Sequence, residues 1–208
     1  MKNKVPSTLK DSLAFDWWKY LVLILALCVG WYYIYQTKNA LKDYEIINVY
    51  TNVEIKDDQF SSSILKEHEE HGIAQVSFTS ISNDAYTQTL LTSKALLDGD
   101  LLLLYETYAD PIVESRAYVL DETLQASVKN INPNASFVSY ENAAVGVKVF
   151  EKGNDTYNSS FKINSCFAFA ETTYLFVNKN SSNASANGTE AYSKCALDVM
   201  LTLLQGVA

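Results

Sequence analysis

An unbroken apolar and aromatic stretch near the N-terminus is the strongest pattern in the chain. From Tyr20 to Thr37 no residue is charged, and 18 positions at about 1.5 Å per residue cover roughly 27 Å, close to the thickness of a bilayer core. Aromatic residues that favour the headgroup layer flank both ends: Trp17, Trp18 and Tyr20 before it, and Trp31, Tyr32, Tyr33 and Tyr35 after it. We predict a transmembrane helix over residues 17–37, with the lipid bilayer as its partner.

Three other interpretations fit this stretch less well. A cleaved signal peptide needs small residues after its apolar core, whereas this core continues into Trp31. Cys28 follows Leu25-Ala26-Leu27, which departs from the bacterial lipobox because Leu27 stands where Gly, Ala or Ser is required. A core helix of a soluble protein has no need of two aromatic belts. The preferred interpretation is a permanent anchor in which Cys28 is a small apolar residue.

Lysines set the predicted orientation. The positive-inside bias slightly favours a cytoplasmic N-terminus, since four lysines precede or open the span and three follow it: Lys2, Lys4, Lys10 and Lys19 against Lys38, Lys42 and Lys56. We therefore predict a cytoplasmic tail at 1–16, the membrane helix at 17–37, a linker at 38–43 and an extracytoplasmic domain at 44–208. The expected location is the cell membrane.

Strand and helix patterns alternate beyond the linker. "YEIINVY" (44–50), "IAQVSFTSI" (73–81) and the unbroken apolar "DLLLLYE" (100–106) are predicted strands, the last buried on both faces. Segments 57–72 and 83–99 between them are predicted helices with acidic or Asn N-caps and a closing Gly. This alternation is typical of a parallel sheet.

The C-terminal half continues the sheet in an antiparallel manner. Strands are predicted at 145–152, 160–170 and 172–180, after a mixed segment of loop and short helices, and an amphipathic helix at 191–206 closes the chain. About 165 residues follow the anchor, enough for one domain. The predicted fold is α/β: an N-terminal transmembrane helix and one three-layer α/β domain with a mixed, mostly parallel sheet.

Charge and cysteine content exclude several classes of function. The net charge is −8, and because the first 19 residues carry four Lys and two Asp, about −10 belongs to the remainder. Without a Lys/Arg cluster, such a domain does not bind nucleic acid. Only Cys166 and Cys195 lie outside the anchor, which rules out a disulfide framework and a four-cysteine zinc site. A single bridge between them and two separate buried thiols both stay open.

Two segments, "ALLDGDLLLLYETYAD" (95–110) and "YLFVNKNSSNASANGTEAYSKCALDVMLTLL" (174–204), resemble the extracytoplasmic solute-binding proteins of bacterial ABC importers, of the type 2 periplasmic-binding-like class. The resemblance covers roughly 44–205. It implies that the loop after the 100–105 strand faces a ligand and that the Asn178–Ser181 turn leads into a helix of the same lobe. Such proteins have two lobes, and this chain has material for one, so the resemblance implies a membrane-anchored single lobe.

Ligands of open α/β sheets bind beyond the carboxyl ends of the strands. This position selects two residues after the first strand and three after the third as a predicted ligand site, namely Thr51, Asn52, Glu106, Thr107 and Tyr108. The competing interpretation is that these side chains cap turns or face solvent.

A carboxylate group is the other candidate for chemistry. Glu106, Asp110 and Glu114 are spaced by four and would share a helical face, suiting acid/base work or Ca²⁺. Pro111 is expected to interrupt that helix, and a solvated acidic face is the preferred interpretation. His68 and His71 in "HEEH" lack the zinc-protease spacing and are assigned to an exposed helix end.

The predicted function follows from the anchor and from the lack of catalytic motifs in the sequence. We predict a single-pass, non-catalytic binding or accessory protein, with a membrane protein or small solute as partner and with no catalytic residue, metal or cofactor. The alternatives are an anchored hydrolase using the clustered carboxylates, or an envelope assembly component whose helix packs against copies of itself. Six N-x-S/T sequons are assigned to chance in Asn/Ser-rich loops: those at Asn134, Asn154, Asn158, Asn180, Asn183 and Asn187.

Overall fold

The chain divides into two compact units, Met1–Leu41 and Lys42–Ala208, in the computed structural model. The structure describes residues 9–42, 45–56, 60–68, 72–81, 89, 99–161, 163–184 and 195–205, without the side chains of 9–16, 39, 60 and 111. The boundary between the two units lies inside the linker predicted at 38–43.

The first unit contains helix α1, Leu9–Asn39. Its segment Trp17–Lys38 is long and apolar enough to cross a membrane, and none of it is buried within the protein. The helix begins eight residues before the predicted span. Residues 9–16, predicted as part of the cytoplasmic tail, are therefore helical. The exposed fraction of the large apolar side chains of α1 ranges from 44% for Tyr20 to 73% for Trp31.

A six-stranded mixed sheet organises the second unit, in the order β3-β1-β4-β8-β6-β5. Strands β3, β1 and β4 are parallel neighbours, whereas β4–β8, β8–β6 and β6–β5 are antiparallel pairs. A separate two-stranded sheet pairs β2 with β7. The strands are β1 Ile46–Thr51, β2 Glu54–Ile55, β3 Gln75–Ser80, β4 Leu101–Tyr105, β5 Phe137–Tyr140, β6 Ala143–Phe150, β7 Phe167–Ala168 and β8 Thr173–Val177.

Helices cover both faces of this sheet. Those that the structure describes are α2 Phe60–His68, a 3-10 turn η1 Glu106–Tyr108, α3 Asp110–Ser115, α4 Glu122–Ile131, α5 Asp155–Asn158, α6 Ile163–Cys166 and α7 Cys195–Gln205. One apolar cluster joins one face of the sheet to α2, α4 and α7. A smaller cluster joins the other face to α3. The predicted α/β class with a mixed sheet is confirmed, with two of its five strand pairings parallel and three antiparallel.

Strand β4 is the centre of the core. Leu101, Leu103 and Tyr105 point into the larger cluster, and Leu102 and Leu104 into the smaller one. Every residue of β4 is at most 7% exposed, because alternate side chains of a strand point to opposite faces and both faces are covered. The prediction of a central strand buried on both faces is confirmed.

Other predictions differ from the structure. The strand expected at 160–170 is wrong, since Ile163–Cys166 is a helical turn and only Phe167–Ala168 is a strand. Strand β5 was not predicted, because Phe137–Tyr140 is half exposed and shows no continuous apolar run. The predicted helix at 83–99, and the ends of that at 57–72, lie largely outside the described residues.

A buried polar cluster joins the start of β4 to the segment after β8. Oδ2 of Asp100 accepts a 2.7 Å hydrogen bond from the Asn48 backbone N–H, and Oδ1 accepts from the Ser181 hydroxyl and from Nδ2 of Asn183. The Asn178 side chain donates to the Gly99 carbonyl at 2.8 Å. The residues that carried the solute-binding resemblance therefore meet in the interior.

Candidate functional site

Two of the predicted ligand residues lie inside the domain. Thr51 is 0% and Asn52 is 4% exposed. The Thr51 hydroxyl accepts a 3.0 Å hydrogen bond from the Val53 N–H, and Oδ1 of Asn52 accepts one of 3.0 Å from the Tyr105 N–H. Both side chains therefore accept hydrogen bonds from backbone N–H groups at the carboxyl ends of β1 and β4.

The other three predicted residues form η1, immediately after β4. Glu106 and Thr107 are exposed, whereas Tyr108 is half-buried and packs against both apolar clusters. The Glu106 N–H donates to the Thr172 carbonyl at 2.9 Å, which ties η1 to the start of β8. Glu106 also lines a surface groove.

This groove lies between the η1–α3 segment and strands β5 and β8, and we call it the acidic groove. Its volume is about 380 Å³, within the range of small-molecule sites. Its lining combines three carboxylates, two tyrosines, one hydroxyl and three apolar side chains: Glu106, Asp110, Glu114, Tyr140, Tyr174, Ser139, Ala109, Val113 and Val138.

The three carboxylates lie on one face because η1 continues into α3. Backbone hydrogen bonds run from Ala109 to Glu106 and from Val113 to Ala109, at 3.1 and 3.0 Å. Pro111 occupies the first turn of α3, where the missing N–H has no helical partner to lose. The expectation that Pro111 interrupts this segment is therefore wrong, and Asp110 and Glu114 share the groove with Glu106.

Tyr174 is a groove residue that sequence reasoning missed. Its hydroxyl donates a 2.9 Å hydrogen bond to Oε1 of Glu106, 68 positions away. Burial first, and then the hydrogen bond and charge of Glu106, raise the pKa of Tyr174 to about 12, because each disfavours the phenolate. The sequence did offer one signal: Tyr174 and Phe176 are two residues apart on the predicted strand, and residues at that spacing point to the same face of a sheet.

The lining defines the chemistry that the acidic groove can bind. Carboxylates and the faces of Tyr140 and Tyr174 attract cations, while Ala109, Val113 and Val138 offer apolar contact. A cationic group on an apolar stem matches both features. Among the described residues, no group of three or more His, Cys, Asp or Glu side chains is arranged to hold a metal ion.

His68 is buried rather than exposed, contrary to expectation. Its Nε2 lies 2.8 Å from the Thr202 hydroxyl, which links α2 to α7. His71 lies outside the described residues. The assignment of "HEEH" to an exposed helix end is wrong for His68, because α7 covers the last turn of α2.

Cys166, Cys195 and two of the sequons lie in the interior. Cys166 and Cys195 are buried and form no disulfide, and burial followed by the charge of Asp198 raises the pKa of the Cys195 thiol. Asn158 and Asn183 are at most 8% exposed. The sequons at 134, 154 and 180 are exposed, and the one at 187 lies outside the described residues.

No protein-family model, curated protein or solved structure matches the chain. The resemblance to a solute-binding lobe therefore stays a prediction.

Proposed function

We propose that this chain is a single-pass membrane protein that holds a non-catalytic binding domain on the extracytoplasmic side of the cell membrane. The observation that carries the proposal is the exposure of α1. Its large apolar side chains between Leu21 and Leu27 are 50–64% exposed. In water such a helix leaves its apolar surface unburied, whereas a bilayer core solvates it and leaves every backbone group bonded within the helix.

The orientation rests on charge. Four lysines precede or open the span, which favours a cytoplasmic N-terminus and sends the C-terminal unit across. The large acidic domain does not oppose this, because acidic residues contribute little to topology.

The binding part of the proposal is supported by the acidic groove. It is concave and of the size of a small-molecule site, and it places Glu106, Asp110 and Glu114 beside two tyrosines and an apolar floor. We propose that it binds a small solute or peptide side chain with an ammonium or guanidinium group. In terms of the resemblance, the domain is a single solute-binding lobe that works as an accessory of a membrane protein.

Flotation tests the anchor. The full chain, synthesised with liposomes, is expected to float with lipid and to resist carbonate extraction. Ile24→Arg together with Leu25→Arg is expected to release it, since each arginine at the helix centre costs about 2.5–3.5 kcal/mol, whereas exposed Lys152→Arg changes nothing. A wild-type chain recovered in the carbonate supernatant would contradict the anchor.

Thermal-shift measurements test the groove. The full chain in detergent is screened with arginine amide, with the neutral analogue citrulline amide and with glutamate. Stabilisation by arginine amide only, lost in Glu106→Gln/Asp110→Asn/Glu114→Gln, is the expected result. The matched control Glu67→Gln/Glu122→Gln/Asp155→Asn neutralises three exposed carboxylates outside the groove and is expected to keep the shift. No shift with arginine amide, or equal loss of the shift in the control, would reject the groove.

One observation favours a second candidate, an anchored hydrolase. Glu106, Asp110 and Glu114 line one groove, and a pair of carboxylates can serve as acid and base. Turnover of glycoside or ester substrates by the full chain, abolished by Glu106→Gln with either Asp110→Asn or Glu114→Gln, would select it over simple binding.

A further inference from the structure

Strand β5 forms one edge of the main sheet, and β6 is its strand neighbour there. Just before β5, the Lys148 N–H donates to the Ser136 carbonyl at 2.9 Å, so the backbone groups of Ser136 face β6. Backbone direction alternates from one residue of an antiparallel strand to the next. Val138, which lies opposite Gly146, therefore faces β6 as well.

The turn at the other end of β5 gives the same alternation. Tyr140 pairs with Ala143 across a two-residue turn, a geometry in which the closing pair exchanges backbone hydrogen bonds. The register shift of this hairpin leaves its extra residue, Val145, on β6 and not on β5. The N–H and C=O groups of Phe137 and Ser139 therefore point outward, toward an edge with which no strand in the described ranges pairs.

The acidic groove lies beside this open edge. Val138 packs with the smaller apolar cluster, on the face of the sheet that α3 covers. Val138, Ser139 and Tyr140 line the groove together with the carboxylates of η1 and α3. Ser139 and Tyr140 are exposed, and residues 136–140 carry no charge. Outward backbone groups and a cluster of carboxylates are therefore adjacent.

We infer that the ligand of the acidic groove is an extended peptide segment that adds a strand to β5 and places a lysine or arginine side chain in the groove. The inference rests on the proposed binding of a cationic group there. In antiparallel pairing, the peptide residues opposite Phe137 and Ser139 exchange both backbone hydrogen bonds with them. The peptide residue between these two lies opposite Val138, so its side chain points to the face that carries the groove.

Charge complementarity favours this occupant. Glu106, Asp110 and Glu114 line the groove, and no Lys or Arg is among the described residues that line it. The Tyr174 hydroxyl donates to Glu106 at 2.9 Å, which holds this carboxylate at the groove. A guanidinium group on an apolar stem contacts both the carboxylates and the apolar lining. The main-chain bonds to β5 come in addition, so a peptide is expected to bind more tightly than a single cationic residue.

Two N-methylated peptides test the strand pairing. The probe is acetyl-Thr-Val-Arg-Val-Thr-amide, with its arginine opposite Val138. N-methylation of both valines removes the N–H groups that donate to β5 and is expected to weaken binding about tenfold. The matched control carries N-methyl groups on the arginine and the last threonine, whose N–H groups point away from β5. It is expected to bind as tightly as the unmodified peptide.

A substitution in β5 tests the same contact from the side of the protein. Ser139→Pro removes one outward N–H, a change that an edge strand tolerates, and is expected to weaken the unmodified peptide about fivefold. The unfolding midpoint checks that the variant is folded. The methylated peptides decide the question on the wild-type chain even where this variant is unstable.

The measurement is isothermal titration calorimetry of the full chain in detergent, with the peptides and with arginine amide. If neither arginine amide nor the peptide binds, the proposed function of the groove is refuted and the inference with it. If arginine amide binds and the peptide binds no more tightly, or both methylated peptides lose affinity equally, the groove stands and the β5 pairing is refuted. A peptide with glutamine in place of arginine that binds equally well would also overturn the inference.

Discussion

The side-chain amide of Asn183 donates a 3.0 Å hydrogen bond to Oδ1 of Asp100, a residue 83 positions earlier in the chain. The same amide donates to the Ile46 carbonyl at 3.1 Å. Asn183 therefore joins the start of β1, the start of β4 and the segment after β8, three parts of the chain that are distant in sequence.

Removing the carboxylate at the centre of this cluster is expected to be strongly destabilising. Asp100→Ala leaves three donors without their acceptor: the Asn48 N–H, the Ser181 hydroxyl and the Asn183 amide. At about 1–3 kcal/mol for each buried group left unsatisfied, we expect a loss of about 3 kcal/mol in the free energy of unfolding. Urea unfolding of the full chain in detergent measures it, with exposed Asp155→Asn as a control within about 0.5 kcal/mol of the wild type.

Adding a methyl group at Gly146 is expected to disturb the sheet. A Cβ atom there would lie 2.5 Å from Cε1 of Phe176, whose ring is fully buried beside it. Gly146→Ala should destabilise the domain by about 1–3 kcal/mol, the usual cost of overpacking. A double-mutant cycle with Phe176→Leu checks the cause, because the smaller side chain should recover part of the loss, and strict additivity would point to another origin.

The hairpin between β5 and β6 can be improved. Glu141 and Asn142 have φ of 48° and 69°, as a two-residue type I′ turn requires, and Asn-Gly is preferred there. Glu141→Asn/Asn142→Gly should stabilise the domain by about 1 kcal/mol, whereas Asn142→Val, a β-branched residue at positive φ, should destabilise it by a similar amount. Thermal unfolding of the three proteins decides, and the reverse order would contradict the turn geometry.

Tyr174 should titrate separately from ordinary tyrosines. Its pKa is raised to about 12, against about 10 in an unfolded chain. The unfolded state therefore releases its proton first, so the stabilisation is complete below about pH 10 and is lost as the pH rises from 10 to about 12. Tyr174→Phe should lose less stability across this window and lack one tyrosinate absorbance step near pH 12.

Glu106→Gln tests the cause of that shift. Burial is its largest cause, and the hydrogen bond and charge of Glu106 come next. The pKa of Tyr174 should therefore fall in Glu106→Gln but stay above 10. Burial also raises the pKa values of Tyr105 and Tyr157, so Tyr174→Phe is needed to assign the step. An unchanged titration curve in Glu106→Gln would contradict the contact.

Local sequence patterns predicted the elements whose surroundings are uniform. The apolar run of β4 predicted its strand, because a doubly covered strand demands apolar residues at every position. The apolar run of α1 predicted a helix that is long and apolar enough to cross a membrane. Strand β5 and the helical turn at Ile163–Cys166 were missed. Both are short and partly exposed or mixed in character, so packing rather than local preference decides their conformation.

The acidic groove was predicted in part. Spacing by four placed Glu106, Asp110 and Glu114 on one possible face, and the structure brings them together on η1 and α3. Tyr174 could not be added from spacing, because it reaches Glu106 through the antiparallel pairing of β8 with β4. Thr51 and Asn52 follow a strand end as expected, yet their side chains turn inward to hold backbone.

By itself the sequence determined a long apolar helix, a strand–helix alternation and the buried central strand, since these depend on the composition and period of contiguous residues. Only the tertiary structure decided which strands are neighbours, that Asp100 meets Asn183, and that Tyr174 faces Glu106. Such relationships depend on strand order and register, which are set by the packing of the whole domain, and contacts across 68 or 83 positions leave no periodic trace in the chain.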